Sequence, residues 1–159
     1  MIRGIFIINN HGKARLAKFY DSMTTAEKQR TIREIYGMLS KRTDGVCNFV
    51  EGGALTSWGK DVKLVYRHYA TLFFVFAVDQ NESELGILDL VQVFVEVLDK
   101  CFENVCELDL IFHSDRVHFI LDEIVMGGMV LETSLHDILT AITEMNKLES
   151  ATRRAATKS

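Results

Sequence analysis

Met1-Ile2-Arg3-Gly4-Ile5-Phe6-Ile7-Ile8-Asn9-Asn10-His11-Gly12-Lys13-Ala14-Arg15-Leu16-Ala17-Lys18-Phe19-Tyr20 is the stretch that decides the fold. A β-branched apolar run starts at Ile2, stops at an Asn-Asn-His-Gly cluster, and resumes as a basic segment. Asn and Gly supply the positive-φ positions that a tight turn needs, so the pattern predicts a β-hairpin. A strand beginning at Ile2 leaves no room for a leader peptide, so the mature chain is expected to start at its core. Lys13, Arg15 and Lys18 then lie on a strand beside a hydrophobic partner, which offers a seat for an acidic or phosphorylated ligand.

Beyond the hairpin, Thr24 and Glu27 have capping-box spacing, and Ile32, Ile35, Tyr36 and Leu39 recur at helical intervals. A helix is expected from about Thr25 to Ser40. Cys47–Val50 reads as a short extended piece ended by Gly52-Gly53, and the loop from Glu51 to Asp61 carries the single tryptophan, Trp58. Val62–Tyr69 alternates as a half-exposed strand. Thr71–Val78 is apolar on both faces, as a central strand covered on both sides should be.

The second half is helical. From Glu84 to Val105 the residues Asp89, Gln92, Glu96, Lys100 and Glu103 form one narrow polar stripe, and almost everything else is apolar. A helix lying on a sheet needs one apolar stripe of about 100°. This one has nearly twice that, so it should pack a sheet on one side and a second helix or another protein on the other. Shorter helical pieces follow, interrupted near His113-Ser114-Asp115 and broken at Gly127-Gly128. Ser134 caps a last helix carrying Leu135, Ile138, Leu139, Ile142 and Met145. The order predicts an α/β (α+β) domain with a five-stranded, mainly antiparallel sheet flanked by helices on both faces. It spans residues 1–149, with a polar tail at 150–159 expected to fray.

The bulk properties narrow the function. The 159 residues suffice for one ordinary domain with a sizeable core. The longest uncharged apolar run, Tyr69–Val78, is half of the roughly 20 residues that a bilayer-spanning helix needs. Three cysteines, Cys47, Cys101 and Cys106, form no C-x-x-C pair and read as reduced thiols of a cytosolic protein. Proline is absent, which excludes Pro-rich linkers. Residues 1–42 carry a balance of +6 and the remainder −10, within a net −4. So acidic a chain is a poor nucleic-acid binder, and its basic first quarter suggests a local anionic partner.

Catalytic constellations are missing. Gly53-Ala54-Leu55-Thr56-Ser57-Trp58-Gly59-Lys60-Asp61 superficially resembles a phosphate-binding loop. It has five residues between the glycines, an Asp after the Lys, and joins two strands, so we reject it. There is no dinucleotide fingerprint and no nucleophile elbow. His113 and His118 are five apart, not the helical spacing of a zinc pair. Asp122 and Glu123 face different directions on a helix. No enzyme, cofactor or metal is expected.

The residues do resemble a family. Met1-Ile2-Arg3, Gly12-Lys13-x-Arg15-Leu16-x-Lys18-Phe19-Tyr20, Asn48-Phe49-x-Glu51, Tyr66-Arg67-x-Tyr69-Ala70, Phe94-Val95-Glu96-x-Leu98 and Phe102-x-Asn104-Val105-Cys106-Glu107-Leu108-Asp109-Leu110 together resemble the sigma (small) subunits of clathrin-adaptor-type complexes. The resemblance runs in order from Met1 to about Met145. The loop Gly52–Lys60, Glu82–Leu90 and Val125–Thr133 look most like sigma chains of adaptor complex three.

The resemblance implies a longin-like fold and a non-catalytic place beside two large subunits and a medium subunit in a heterotetramer. It implies cytoplasmic location, peripheral on Golgi and endosomal membranes and vesicles, with recruitment of the whole complex by an Arf-class GTPase. It also implies recognition of acidic dileucine sorting signals for transport to lysosome- or vacuole-type organelles. Carried over by position, the cargo pocket comprises Ala70, Leu72, Val95, Val105 and Leu110, with Asn104 at its rim and Arg15 contacting the acidic residue. Ala70 is small among bulky neighbours and would leave a hollow; equally, Leu72, Val95 and Leu110 are core residues in any such fold. The competing reading is another longin-type trafficking protein, SNARE-like or from a different coat. A SNARE needs a long heptad helix beyond the domain.

Overall fold

In the computed structural model, residues 1–42, 48–51, 55–58, 61–126, 129–130, 143–144, 147–148 and 150–156 are described. Strand β1 (Ile2–Asn9) turns into β2 (Ala14–Phe19), followed by α1 (Thr25–Leu39), β3 (Phe49–Glu51), β4 (Val62–Tyr69) and β5 (Leu72–Asp79). Helices α2 (Glu84–Phe102), α3 (Glu107–Phe112) and α4 (Ser114–Ile124) come next, then a two-stranded ribbon of β6 (Val125–Met126) and β7 (Met129–Val130). The five-stranded sheet has the order β2-β1-β5-β4-β3 with every pairing antiparallel.

Local chemistry explains these elements. The expected turn positions Gly12 at φ +87°, and Asn9 Oδ1 accepts from the amides of His11 and Lys13, both at 2.9 Å. The capping box closes α1 reciprocally: Glu27 N donates to Thr24 Oγ1 at 3.2 Å and Thr24 N to Glu27 Oε2 at 2.9 Å. Ser83 caps α2, accepting from Gly86 N at 3.2 Å. That helix stops at Phe102, three residues before the expected end, because Glu103 and Asn104 take left-handed φ values of 50° and 75°.

Two cores lie on opposite sides of the sheet. Phe6, Ile8, Leu64, Tyr66, Val75 and Ala77 pack on Ile35 and Leu39 of α1. Ile5, Ile7, Phe74 and Phe76 pack on Val91, Phe94 and Leu98 of α2. The surplus apolar surface of α2 is covered within the chain, by Val117, Ile120, Leu121 and Ile124 of α4. The large hydrophobics left exposed include Leu85 at the start of α2 and Leu108, Ile111 and Phe112 on α3.

Several expectations shift at their edges. The second long strand begins at Leu72, since Tyr69 pairs with Leu72 and leaves Ala70-Thr71 as the turn. The helical pieces break at His113 as expected, between α3 and α4. Residues 150–156 are helical and exposed, with Thr152 Oγ1 donating to Leu148 O at 2.9 Å. Cys47, Gly52-Gly53, Gly127-Gly128 and the span Ser134–Ile142 lie outside the described residues.

Candidate functional site

The carried-over residues fall into three groups. Leu72, Val95, Val105 and Leu110 come from β5, α2, the α2–α3 connection and α3, and all join the core on the α2 side, each at most 3% exposed. Ala70 sits apart from that core, exposed in the β4–β5 turn with φ 55°. Its small side chain tolerates the left-handed backbone of that turn. Asn104 is exposed just beyond α2.

Asp99 connects these pieces. Its Oδ1 accepts from the Tyr69 hydroxyl at 2.9 Å and from the Val105 amide at 3.1 Å, while Asn104 N donates to Asp99 O at 3.0 Å. The turn carrying Ala70 and the segment carrying Asn104 and Val105 are therefore held at one helix end. The hydrogen bond to Asp99, with some desolvation, raises the Tyr69 phenol above its ordinary 10.0.

Arg15 reaches this side by a backbone irregularity. Ile7 pairs with Leu16 and Ile8 with Ala14, so Arg15 is an extra residue on the edge strand β2. A bulge of this kind re-aims the side chain that it carries. Arg15 Nε lies 2.5 Å from Glu107 Oε1, and Asn9 Nδ2 donates to the same oxygen at 2.7 Å. Hydrogen bonds from Asn9 and then Arg15 hold the Glu107 carboxyl below its ordinary 4.5. The anionic partner expected for the basic hairpin is thus found, for Arg15 and Lys18, within the chain: Lys18 pairs with Asp122 of α4. Lys13 is exposed.

Asn9, Asp99 and Glu107 were not singled out by sequence reasoning as site residues. Glu107 stands inside the Cys106–Leu110 motif, but nothing in the sequence pairs it with a residue 92 positions earlier. Among the described residues, no group of three or more His, Cys, Asp or Glu is placed to hold a metal, and no helix is long and apolar enough to cross a membrane. Cys101 and Cys106 are free thiols, and burial pushes the Cys101 thiol up.

A five-stranded antiparallel sheet with α1 on one face and α2 and α4 on the other is the longin-like architecture of adaptor small chains. The family of clathrin adaptor complex small chains matches residues 1–149. Similar proteins include the AP-3 complex subunit sigma-2 of Homo sapiens, 60% identical over 95% of this chain and 78% of the relative. The AP-3 complex subunit sigma of Dictyostelium discoideum is likewise 60% identical, over 95% of this chain and 89% of the relative. A chain in a homology model of the full-length AP-3 complex in a stretched open conformation superimposes with a TM-score of 0.73 at 38% identity, covering 98% of this chain and 99% of that one.

The chain belongs to the clathrin adaptor small-chain family. Its likeness within that family is to AP-3 sigma chains, and it is a non-catalytic trafficking component.

Proposed function

We propose that this chain is the small subunit of an AP-3-type heterotetramer, with two large subunits and a medium subunit, and that it recognises acidic dileucine signals in cargo tails. Such a complex carries cargo from Golgi and endosomes towards lysosome- or vacuole-type organelles. It sits peripherally on membranes, and an Arf-class GTPase recruits the complex as a whole.

One observation carries the cargo reading. Arg15 is aimed by its bulge at a carboxylate on α3, the helix whose Leu110 joins Leu72, Val95 and Val105 in one apolar cluster. A cation beside an apolar cluster matches a peptide bearing one acid and two leucines. Burying two leucine side chains contributes roughly 3–6 kcal/mol before association costs. Each site is therefore weak, and retention on a membrane comes from several engagements at once.

The test is peptide binding to the reconstituted heterotetramer. Arg15→Ser is expected to weaken an acidic dileucine peptide and reduce the salt dependence of its binding. Val95→Asp places a charge in the cluster and is expected to abolish binding in complexes that still assemble. Normal peptide binding by assembled Val95→Asp complexes would show that the cluster is core alone.

A further inference from the structure

Glu107 occupies the position at Arg15 that a cargo carboxylate needs. We infer that Glu107 is an internal competitor for the acidic residue of a sorting signal, and that its displacement from Arg15 frees α3 to expose the apolar cluster. This inference rests on the dileucine reading above and deepens it.

The geometry supports both halves. Arg15 and Asn9 converge on one oxygen of Glu107, at 2.5 and 2.7 Å. Asn9 is itself fixed, because its Oδ1 accepts the His11 and Lys13 amides. Glu107 is the first residue of α3, two positions after Val105 and three before Leu110, both in the buried cluster. The pair therefore pins to the hairpin the short helix that closes one wall of the cluster. The side chains of Arg15 and Glu107 are 21% and 29% exposed, so an incoming carboxylate can reach the guanidinium from solvent.

The exchange has a distinct energetic signature. A ligand acid that replaces Glu107 trades one charge-assisted hydrogen bond for another, so in the wild type its gain at Arg15 is reduced, though not cancelled, by the release of Glu107. Two carboxylates held together at one guanidinium repel each other, which favours exchange over sharing. Removing the Glu107 charge leaves Arg15 with no internal anion to displace, and the ligand acid then contributes its full interaction.

Two dileucine peptides, one with Glu and one with Gln four residues before the first leucine, separate the outcomes. Binding is measured by fluorescence anisotropy to heterotetramers carrying wild-type or Glu107→Gln small subunit. Glu107→Gln is expected to tighten both peptides, since α3 is released in either case, and to tighten the Glu peptide roughly five- to tenfold more than the Gln peptide. Equal shifts for both peptides, or weaker binding of the Glu peptide, would overturn the competition while leaving the cargo reading intact. If wild-type and variant complexes bind neither peptide, the cargo reading itself fails and the inference falls with it. Should Glu107→Gln complexes not assemble, hydrogen exchange on the wild type decides: α3 amides must exchange faster with the Glu peptide than with the Gln peptide.

Discussion

The Tyr69 hydroxyl donates to Asp99 Oδ1 at 2.9 Å, joining the end of β4 to the last turn of α2. The same oxygen accepts the Val105 amide, so one carboxylate fixes both the hairpin turn and the entry to α3. Tyr69→Phe removes one of these donors and keeps the ring. The expected result is faster hydrogen exchange at Val105 with little change at the centre of α2. Asp99→Ala removes both and should extend the effect through α3. Unchanged exchange in Asp99→Ala would show that the carboxylate does not order this junction.

The hairpin turn gives a paired test of backbone strain. Gly12 has φ +87°, and a Cβ there would lie 2.8 Å from the Tyr36 ring. That ring has little freedom to step aside, because its hydroxyl donates to Asn10 O at 2.5 Å. Gly12→Ala is expected to destabilise by about 1–3 kcal/mol. Gly37→Ala, inside α1 with open space around the new methyl, should instead stabilise by about 0.5–1 kcal/mol. Chemical denaturation of the two variants is expected to give shifts of opposite sign.

Much of this architecture was legible in the residues. The Asn-Asn-His-Gly turn, the Thr24–Glu27 capping box and the doubly apolar strand before Asp79 are local signals with local physical causes, and they set the element order. The C-terminal end of α2 was not legible in the same way, since two non-glycine residues in left-handed conformation stop the helix where periodicity continues. The candidate site was legible only as residue types. Arg15 is visible as a cation on an edge strand, but the bulge that turns it towards α3 is a matter of register between strands. Its pairing with Glu107, like that of Lys18 with Asp122, depends on tertiary placement over roughly a hundred residues of chain. Ala70 adds what its size alone does not reveal: it is a turn residue with φ 55°.

Glu107 should also govern how the α3 junction responds to acid. Hydrogen bonds from Asn9 and Arg15 lower its folded pKa below 4.5, with Arg15 and His11 adding favourable charge. A carboxyl with a depressed folded value contributes stability above its unfolded value, and that contribution is lost as pH falls through the folded one. The protection factors of α3 amides, taken against intrinsic exchange at each pH, are therefore expected to hold steady between pH 7 and about 5 and to fall below about 4. Glu107→Gln should flatten that response. A carbon-detected titration placing the Glu107 midpoint at or above 4.5 would contradict the observed pairing.

On the opposite face, Asp21 holds two partners that bracket the hairpin. Arg3 Nη1 reaches both of its oxygens at 3.1 Å, and Trp58 Nε1 donates to Oδ2 at 2.9 Å. Trp58 also packs beside Phe6 and Phe19, with ring centroids 6.2 and 6.1 Å away. Gly4 makes room for this, since a Cβ there would lie 2.9 Å from the Phe6 ring and 3.1 Å from the Trp58 ring. Asp21→Ala leaves the indole N–H without its acceptor and is expected to cost about 1–2 kcal/mol. Asp21→Asn retains a carbonyl oxygen for the indole but loses the charge opposite Arg3, and should cost less. Because Trp58 is the only tryptophan, its fluorescence reads this corner directly: the emission of Asp21→Ala should shift to the red, and that of Asp21→Asn should stay near wild type. Equal red shifts in both variants would mean that the ion pair with Arg3, not the indole hydrogen bond, keeps Trp58 in place.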